Sequence, residues 1–249
     1  SFPADLDKLK LLRSLTLGQV DVNRDFPFPS IGGLSLLKAF EISDAPMHGN
    51  ASLKMVSSSI GSLRNLNTFR LIRVRVRSGT SLPASIVNMT NLRKLWVMNC
   101  TGFSGPIIRV LSTLGRGRNP PLRVDFDLSH NKFNGTVPPL AIGATAFRAP
   151  GNRLSGMDPL LFDQSTLLVQ LVLSNNQIRS SLPHGVCRAK FLCSLSLENN
   201  FIHGPLPSLG DSSQNCTGKF VRYLDFSNNN FSGAVPPSYA NLSGLLCLD

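Results

Sequence analysis

The nine residues Leu168-Val-Gln-Leu-Val-Leu-Ser-Asn-Asn176 decide how this chain folds. Apolar residues stand at their first, fourth and sixth positions and asparagine at the ninth. The same spacing returns as Leu192, Leu195, Leu197 and Asn200, then as Val221, Leu224, Phe226 and Asn229, at intervals of 24 and 29 residues. Upstream, Phe126, Leu128 and Asn131, and then Phe147, Ala149 and Asn152, repeat it with Arg123 and Ala144 in the first slot. Leu92, Leu95, Val97 and Cys100 match next, as do Leu66, Phe69, Leu71 and Val74, and two more copies begin at Leu37 and Leu12. A recurrence of this length marks a repeat architecture in which no single unit buries its own apolar edge.

Each copy reads as a short strand with alternate residues pointing inward, followed by a corner and a return segment. Stacking nine coils ~4.8 Å apart builds a parallel sheet and aligns the leucines into one core. The ninth-position asparagine falls where the chain turns, and its amide can satisfy backbone groups that the turn leaves unpaired. Asn131, Asn152, Asn176, Asn200 and Asn229 form such a ladder, whereas Val20, Ala45, Val74 and Cys100 hold the slot in the first four copies. One solenoid over 1–249 is therefore expected, with about nine full repeats, an irregular basic half at 1–124 and a regular half at 125–249. Ser1 to Leu11 read as the second half of a preceding repeat and Leu245 to Asp249 open a tenth strand, so partial repeats are expected at both ends, as in a piece of a longer solenoid.

The segments between strands carry their own pattern: Phe133-Asn-Gly-Thr-Val-Pro138, Ile202-His-Gly-Pro-Leu-Pro207 and Phe231-Ser-Gly-Ala-Val-Pro236, with Ser81-Leu-Pro-Ala-Ser-Ile-Val-Asn-Met-Thr-Asn-Leu92 upstream. This block closely resembles the plant-specific class of leucine-rich repeats, over nearly the whole chain and most strongly from Cys100 onward. The resemblance implies an α/β repeat solenoid: a curved superhelix with a parallel sheet on the concave face and irregular or short helical convex segments. Members of the class include ectodomains of plant receptor-like kinases and receptor-like proteins, and polygalacturonase-inhibiting proteins of the cell wall. The implied function is an extracellular protein or peptide recognition module of a plant cell-surface receptor, acting in signalling or defence on the apoplast side of the plasma membrane. The alternative is a secreted inhibitor-like or wall-binding protein. Irregular repeats and the lack of the family's paired-cysteine caps favour the receptor.

Charge narrows the partner question. The net charge is +11, yet no acidic residue lies between Asp44 and Asp125, while 12 of the 25 basic residues, Lys54 to Arg123, fall inside that window. The rest of the chain is close to neutral, so any partner drawn by charge concerns this window. Hydrophobic residues make up 42% of the chain, enough for a core. No apolar run approaches the roughly 18 residues of a membrane helix, so a membrane enters only through segments outside this chain. No nucleic-acid module accompanies the basic charge, and acidic extracellular partners are expected in place of nucleic acid.

N-x-Ser/Thr triplets stand at Asn50, Asn88, Asn99, Asn134, Asn215, Asn230 and Asn241, seven of the 20 asparagines, which points to a secreted glycoprotein. Asn50, Asn88, Asn134, Asn215 and Asn241 are the candidates; Asn99 and Asn230 lie too near strand corners. Of the five cysteines, Cys187 and Cys216 each fall five residues before a repeat start, so they occupy equivalent places on adjacent coils. Coil spacing suits a disulfide between them. Two reduced cysteines packed as small apolar groups is the alternative.

The four histidines are scattered, and no nucleophile motif, phosphate-binding loop or metal-ligand spacing occurs, so neither an enzyme nor a cofactor is expected. Asp125 and Asp127 share one strand face, but an open face offers little desolvation to shift a carboxylate. A binding surface fits better, because the third, fifth, seventh and eighth positions of every coil are displayed together. Aligned this way, Arg70, Arg73, Arg93, Lys94 and Trp96 cluster, with Glu41 and Asp44 on one side and Asp125, Asp127 and His130 on the other. A tryptophan beside arginine is a typical interface anchor, and arginine suits a carboxylate or sulfate. The expected ligand is a peptide or protein, acidic or sulfated, or pectin, with a co-receptor as a further partner. Some receptors of the resembled class hold a peptide's terminal carboxylate with an R-x-R pair on the concave face, and Arg73-Val-Arg-Val-Arg77 offers a weak counterpart at a strand end. A structural or ice-binding solenoid would need a regular array such as threonine on one face, which the fifth and eighth positions lack.

Overall fold

A computed structural model of the protein describes residues 6–19, 31–45, 58–107, 109–114, 120–164, 167–211, 213, 216 and 218–249. Its main feature is a ten-stranded parallel sheet whose strands follow one another in chain order. They are Ser14–Gly18, Ala39–Ser43, Thr68–Ile72, Lys94–Met98, Val124–Asp127, Ala144–Arg148, Gln170–Val172, Ser194–Ser196, Tyr223–Asp225 and Cys247–Leu248. Repeat positions align across the register: Phe40 pairs with Phe69, Phe69 with Leu95, Leu95 with Phe126 and Phe126 with Phe147. The fourth and sixth positions point inward, and Phe40, Phe69, Leu71, Leu95, Leu171 and Leu197 are buried. Burying each such side chain contributes about 1.5–3 kcal/mol relative to leaving it exposed. Arg123 is exposed despite its alignment with a leucine slot. A register irregularity between Val124 and Asp125 lets Val124 take the inward place.

At each corner the eighth-position residue adopts positive φ: Gln19, Asp44, Arg73, Asn99, His130, Asn175, Asn199 and Asn228 lie between 50° and 56°, and Gly151 at 64°. Left-handed backbone suits asparagine and glycine, and the early coils force it on glutamine, aspartate and arginine. Gly151 has a second constraint, because a Cβ there would stand 2.6 Å from Nδ1 of His130.

The ninth-position asparagine closes each corner. Asn131 Nδ2 donates to the carbonyls of Val97, Leu128 and Ser129, and its Oδ1 accepts the Cys100 N–H at 3.1 Å. Asn152, Asn176, Asn200 and Asn229 repeat the arrangement, accepting from Phe133, Leu154, Ile178 and Ile202 in turn. Where Cys100 holds the slot, its thiol donates only weak bonds to Leu71 and Met98 carbonyls.

The return segments are more ordered than irregular connections. The stretches after the four successive corners at Arg73, Asn99, His130 and Gly151 form a second parallel sheet from Arg75–Thr80, Thr101–Pro106, Lys132–Val137 and Arg153–Met157, and His203–Pro205 pairs with Asn230–Ser232. Buried apolar residues, Val76, Phe103, Phe133 with Val137, and Leu154 with Met157, anchor this sheet to the core. Short 3-10 helices follow. Ala84–Asn88, His184–Arg188 and Pro237–Asn241 each start after a proline, Pro83, Pro183 and Pro236, whose φ of −70°, −60° and −58° sets the entry.

Candidate recognition surface

With the fourth and sixth positions inside, the third and fifth positions of the main sheet form its open face. Register places Glu41, Arg70, Trp96, Asp127 and Arg148 side by side on five successive strands. Arg70 Nη1 donates to Glu41 Oε2 at 3.0 Å, and its guanidinium carbon lies 4.3 Å from the Trp96 ring centroid. Lys94 Nζ stands 5.4 Å from the same ring. Arg70, Lys94 and Trp96 are thus brought together as one cluster. Trp96 Nε1 and Arg70 Nε are buried, and neither has a hydrogen-bond partner among the described residues.

Other residues of the expected patch behave differently. Arg73 sits at the corner, where it makes a bidentate pair with Asp44: Nε to Oδ1 at 2.5 Å and Nη2 to Oδ2 at 2.9 Å. That pairing holds the Asp44 carboxyl below its usual value and leaves the Arg73 fork occupied. Arg75 and Arg77 belong to the second sheet, so Arg73-Val-Arg-Val-Arg77 does not present an R-x-R pair on the open face. Asp127, expected to be displayed, is buried, and its Oδ1 accepts from the Ser129 hydroxyl and, at 3.1 Å, from the Ser129 N–H. Asp125 accepts from Arg148 Nη1 at 2.7 Å, and Arg148 Nε also donates to Gln170 at 2.8 Å. His130 is exposed at its corner with its ring over Gly151, off the strand face. Arg93 is exposed beside Lys94.

Repeat alignment alone did not single out a second depression, of about 340 Å³, farther along the open face and lined by Gln170, Val172, Ser194, Ser196, Tyr223 and Asp225. Tyr223, 50% exposed, is its aromatic wall. Its third-position place, equivalent to Lys94, was the available signal.

Cys187 and Cys216 are joined by a disulfide across a 29-residue separation, with Cα atoms 4.6 Å apart. Cys100, Cys193 and Cys247 are free thiols. Burial pushes the Cys100 thiol up to about 11, which makes it inert. Asn88, Asn134 and Asn241 are exposed, whereas Asn50 and Asn215 lie outside the described residues. Among the described residues no helix is long and apolar enough to cross a membrane.

The coil stacking, asparagine ladder and open sheet face define a leucine-rich repeat solenoid. Residues 220–242 match the family model described as Leucine Rich Repeat. Receptor-like protein 7 of Arabidopsis thaliana is 36% identical over 96 residues, which cover 32% of this chain and 10% of that protein. The Arabidopsis receptor kinase HAESA ectodomain, solved with an N-terminally extended IDA peptide hormone, superposes with a TM-score of 0.76 at 25% identity over 98% of this chain and 38% of that one. A plant ice-binding protein shares the fold with a TM-score of 0.67 at 20% identity, over 99% of this chain and 76% of that one. The chain folds as a leucine-rich repeat solenoid and is similar to plant receptor-like proteins, and it spans about a tenth of the length of the receptor-like protein it matches.

Proposed function

We propose that this chain is an extracellular, non-catalytic recognition module of a plant cell-surface receptor, and that the open face of its main sheet binds a peptide or protein ligand. The observation that carries this reading is the Glu41–Arg70–Trp96–Lys94 cluster on three successive strands. Trp96 offers a large, half-buried ring that Arg70 holds rigidly from one side, the kind of preorganised anchor that concentrates binding energy. Glu41 neutralises Arg70 and Asp44 neutralises Arg73, so the patch is not a free double-arginine clamp. Lys94 and Arg93 are the cations left for an acidic or sulfated group, and the Tyr223 depression would take a second side chain of an extended ligand. HAESA binding a peptide hormone on the same fold supports a peptide, and a co-receptor is the expected further partner.

An oxidised bridge between adjacent coils and the exposed sequons support an extracellular location. The carboxylates that could have formed an acid/base pair are engaged, Asp125 by Arg148 and Asp127 by Ser129, which supports binding over catalysis. The test is isothermal calorimetry with a panel of synthetic secreted plant peptides, sulfated and unmodified, on the wild type and on the double variant Arg70→Ala, Trp96→Ala. A peptide that binds the wild type loses at least about 10-fold in affinity on the variant, or about 1.4 kcal/mol. Unchanged affinity contradicts the reading.

A further inference from the structure

The second sheet has an open face of its own, independent of the ligand surface. Val76, Phe133 and Leu154 point into the core, so their strand neighbours Arg75, Arg77, Lys132 and Arg153 point out, and all four are exposed. The register sets their order. Arg75 pairs with Thr101, Lys132 with Ser104 three residues farther along that strand, and Arg153 with Asn134, two residues beyond Lys132. Arg179 continues the line on the next coil, its N–H donating to the Ser155 carbonyl at 3.0 Å. The cations therefore run diagonally across about 20 Å of sheet at ~4.8 Å per strand.

Among the described residues no hydrogen bond or ion pair is made by the side chains of Arg75, Arg77, Lys132 or Arg153, in contrast to Arg70, Arg73, Arg148 and Arg188, each matched by a carboxylate. The nearby acids face elsewhere: Asp44 holds Arg73, Asp125 and Asp127 lie on the main sheet, and Asp158 accepts the Leu160 N–H at 2.9 Å. At the far end Phe201 is 46% exposed, with Arg179 4.9 Å from its ring centroid.

We propose that this face is a docking track for a linear acidic polysaccharide, a polyuronate chain. Unpaired cations in a line on a flat face fit a partner that repeats its carboxylate along an extended backbone, with binding driven by release of that polymer's counterions. The Phe201 ring suits the C–H face of a pyranose, which a purely ionic partner would not use. Asn134 carries a glycosylation triplet and lies between Lys132 and Arg153, so a glycan there would stand over the track and control access to it.

The probe is de-esterified polygalacturonate, with fully methyl-esterified pectin and duplex DNA as comparisons, measured by biolayer interferometry on the secreted protein and on Asn134→Gln. Polygalacturonate binds one or both proteins, at least as tightly without the Asn134 glycan, and weakens steeply with added salt. The esterified polymer, which lacks the charge, does not bind. The variant Arg75→Ser, Lys132→Ser, Arg153→Ser loses at least about 10-fold in affinity and has a shallower salt dependence. The inner-face pair Arg93→Ser, Lys94→Ser stays within about 2-fold. Phe201→Ser, with all charges intact, gives a smaller loss. An unchanged melting temperature shows that each variant is folded, and the single change Lys132→Ser serves if the triple variant is not. Absence of binding to both proteins, equal loss in the inner-face pair, or DNA binding as tight as polygalacturonate binding overturns the proposal.

Discussion

Arg70 is held between two neighbouring strands, its Nη1 3.0 Å from Glu41 Oε2 on one side and its guanidinium 4.3 Å from the Trp96 ring centroid on the other. The arginine is thus as much a support for Trp96 as a charge offered to a ligand. Removing Glu41 frees Arg70 to meet an anion. Glu41→Gln should strengthen binding of an acidic peptide, tighten its salt dependence and leave a neutral peptide unaffected, as calorimetry at two ionic strengths would show.

The asparagine ladder predicts where stability concentrates. Asn131→Ala leaves the Cys100 N–H without its acceptor and the carbonyls of Val97, Leu128 and Ser129 without that donor. At about 1 kcal/mol for each bond lost in a buried setting, urea denaturation should show a loss of about 2–4 kcal/mol. Asn229→Ala should lose less, because Asn229 is only half-buried and water can replace part of its network.

Thiol counting tests the bridge. Denatured, unreduced protein should give three reactive thiols, from Cys100, Cys193 and Cys247, and five after reduction. In the native state Cys100 should stay unreactive at pH 8, since its thiol is pushed up to about 11 by burial. Replacing Cys187 and Cys216 by serine opens a loop closed over 29 residues and should lower stability by about 3–4 kcal/mol on the chain-entropy account.

Asp44 gives a pH signature. Its folded value is lowered, first by the hydrogen bond from Arg73, so its contribution is present above the unfolded value and is lost as pH falls through the folded one. The effect on stability is small because the pair is exposed. NMR titration should place the Asp44 carboxyl below about 3.9 in the wild type and close to that value in Arg73→Gln.

Repeat spacing made the main sheet legible down to its register: the residues aligned at the fifth position, Glu41, Arg70, Trp96, Asp127 and Arg148, are those the strands place in one row. The second sheet was not legible. Each of its strands carries little apolar alternation, and Gly79, Gly105 and Gly135 within them take positive φ, so the segments read as turns. Pairing was hidden as well. Alignment put Glu41 near Arg70 and Asp44 near Arg73, but side-chain conformation decides whether the carboxylate closes on the arginine. The position of Asp127 predicts exposure, but in the recurring Asp127-Leu-Ser129 and Asp225-Phe-Ser227 triplets the aspartate accepts from the serine two residues on, and that local bond is the sequence signal for its engagement.

The protein has one tryptophan, and it stands at the centre of the proposed ligand surface. Its fluorescence is therefore the most direct probe of the account. Titrating the protein with a peptide whose binding calorimetry has established should quench or shift Trp96 emission with the same dissociation constant, and Lys94→Glu should weaken an acidic peptide in both measurements. A peptide that binds by calorimetry yet leaves Trp96 emission unchanged would contradict the assignment of the ligand to this face.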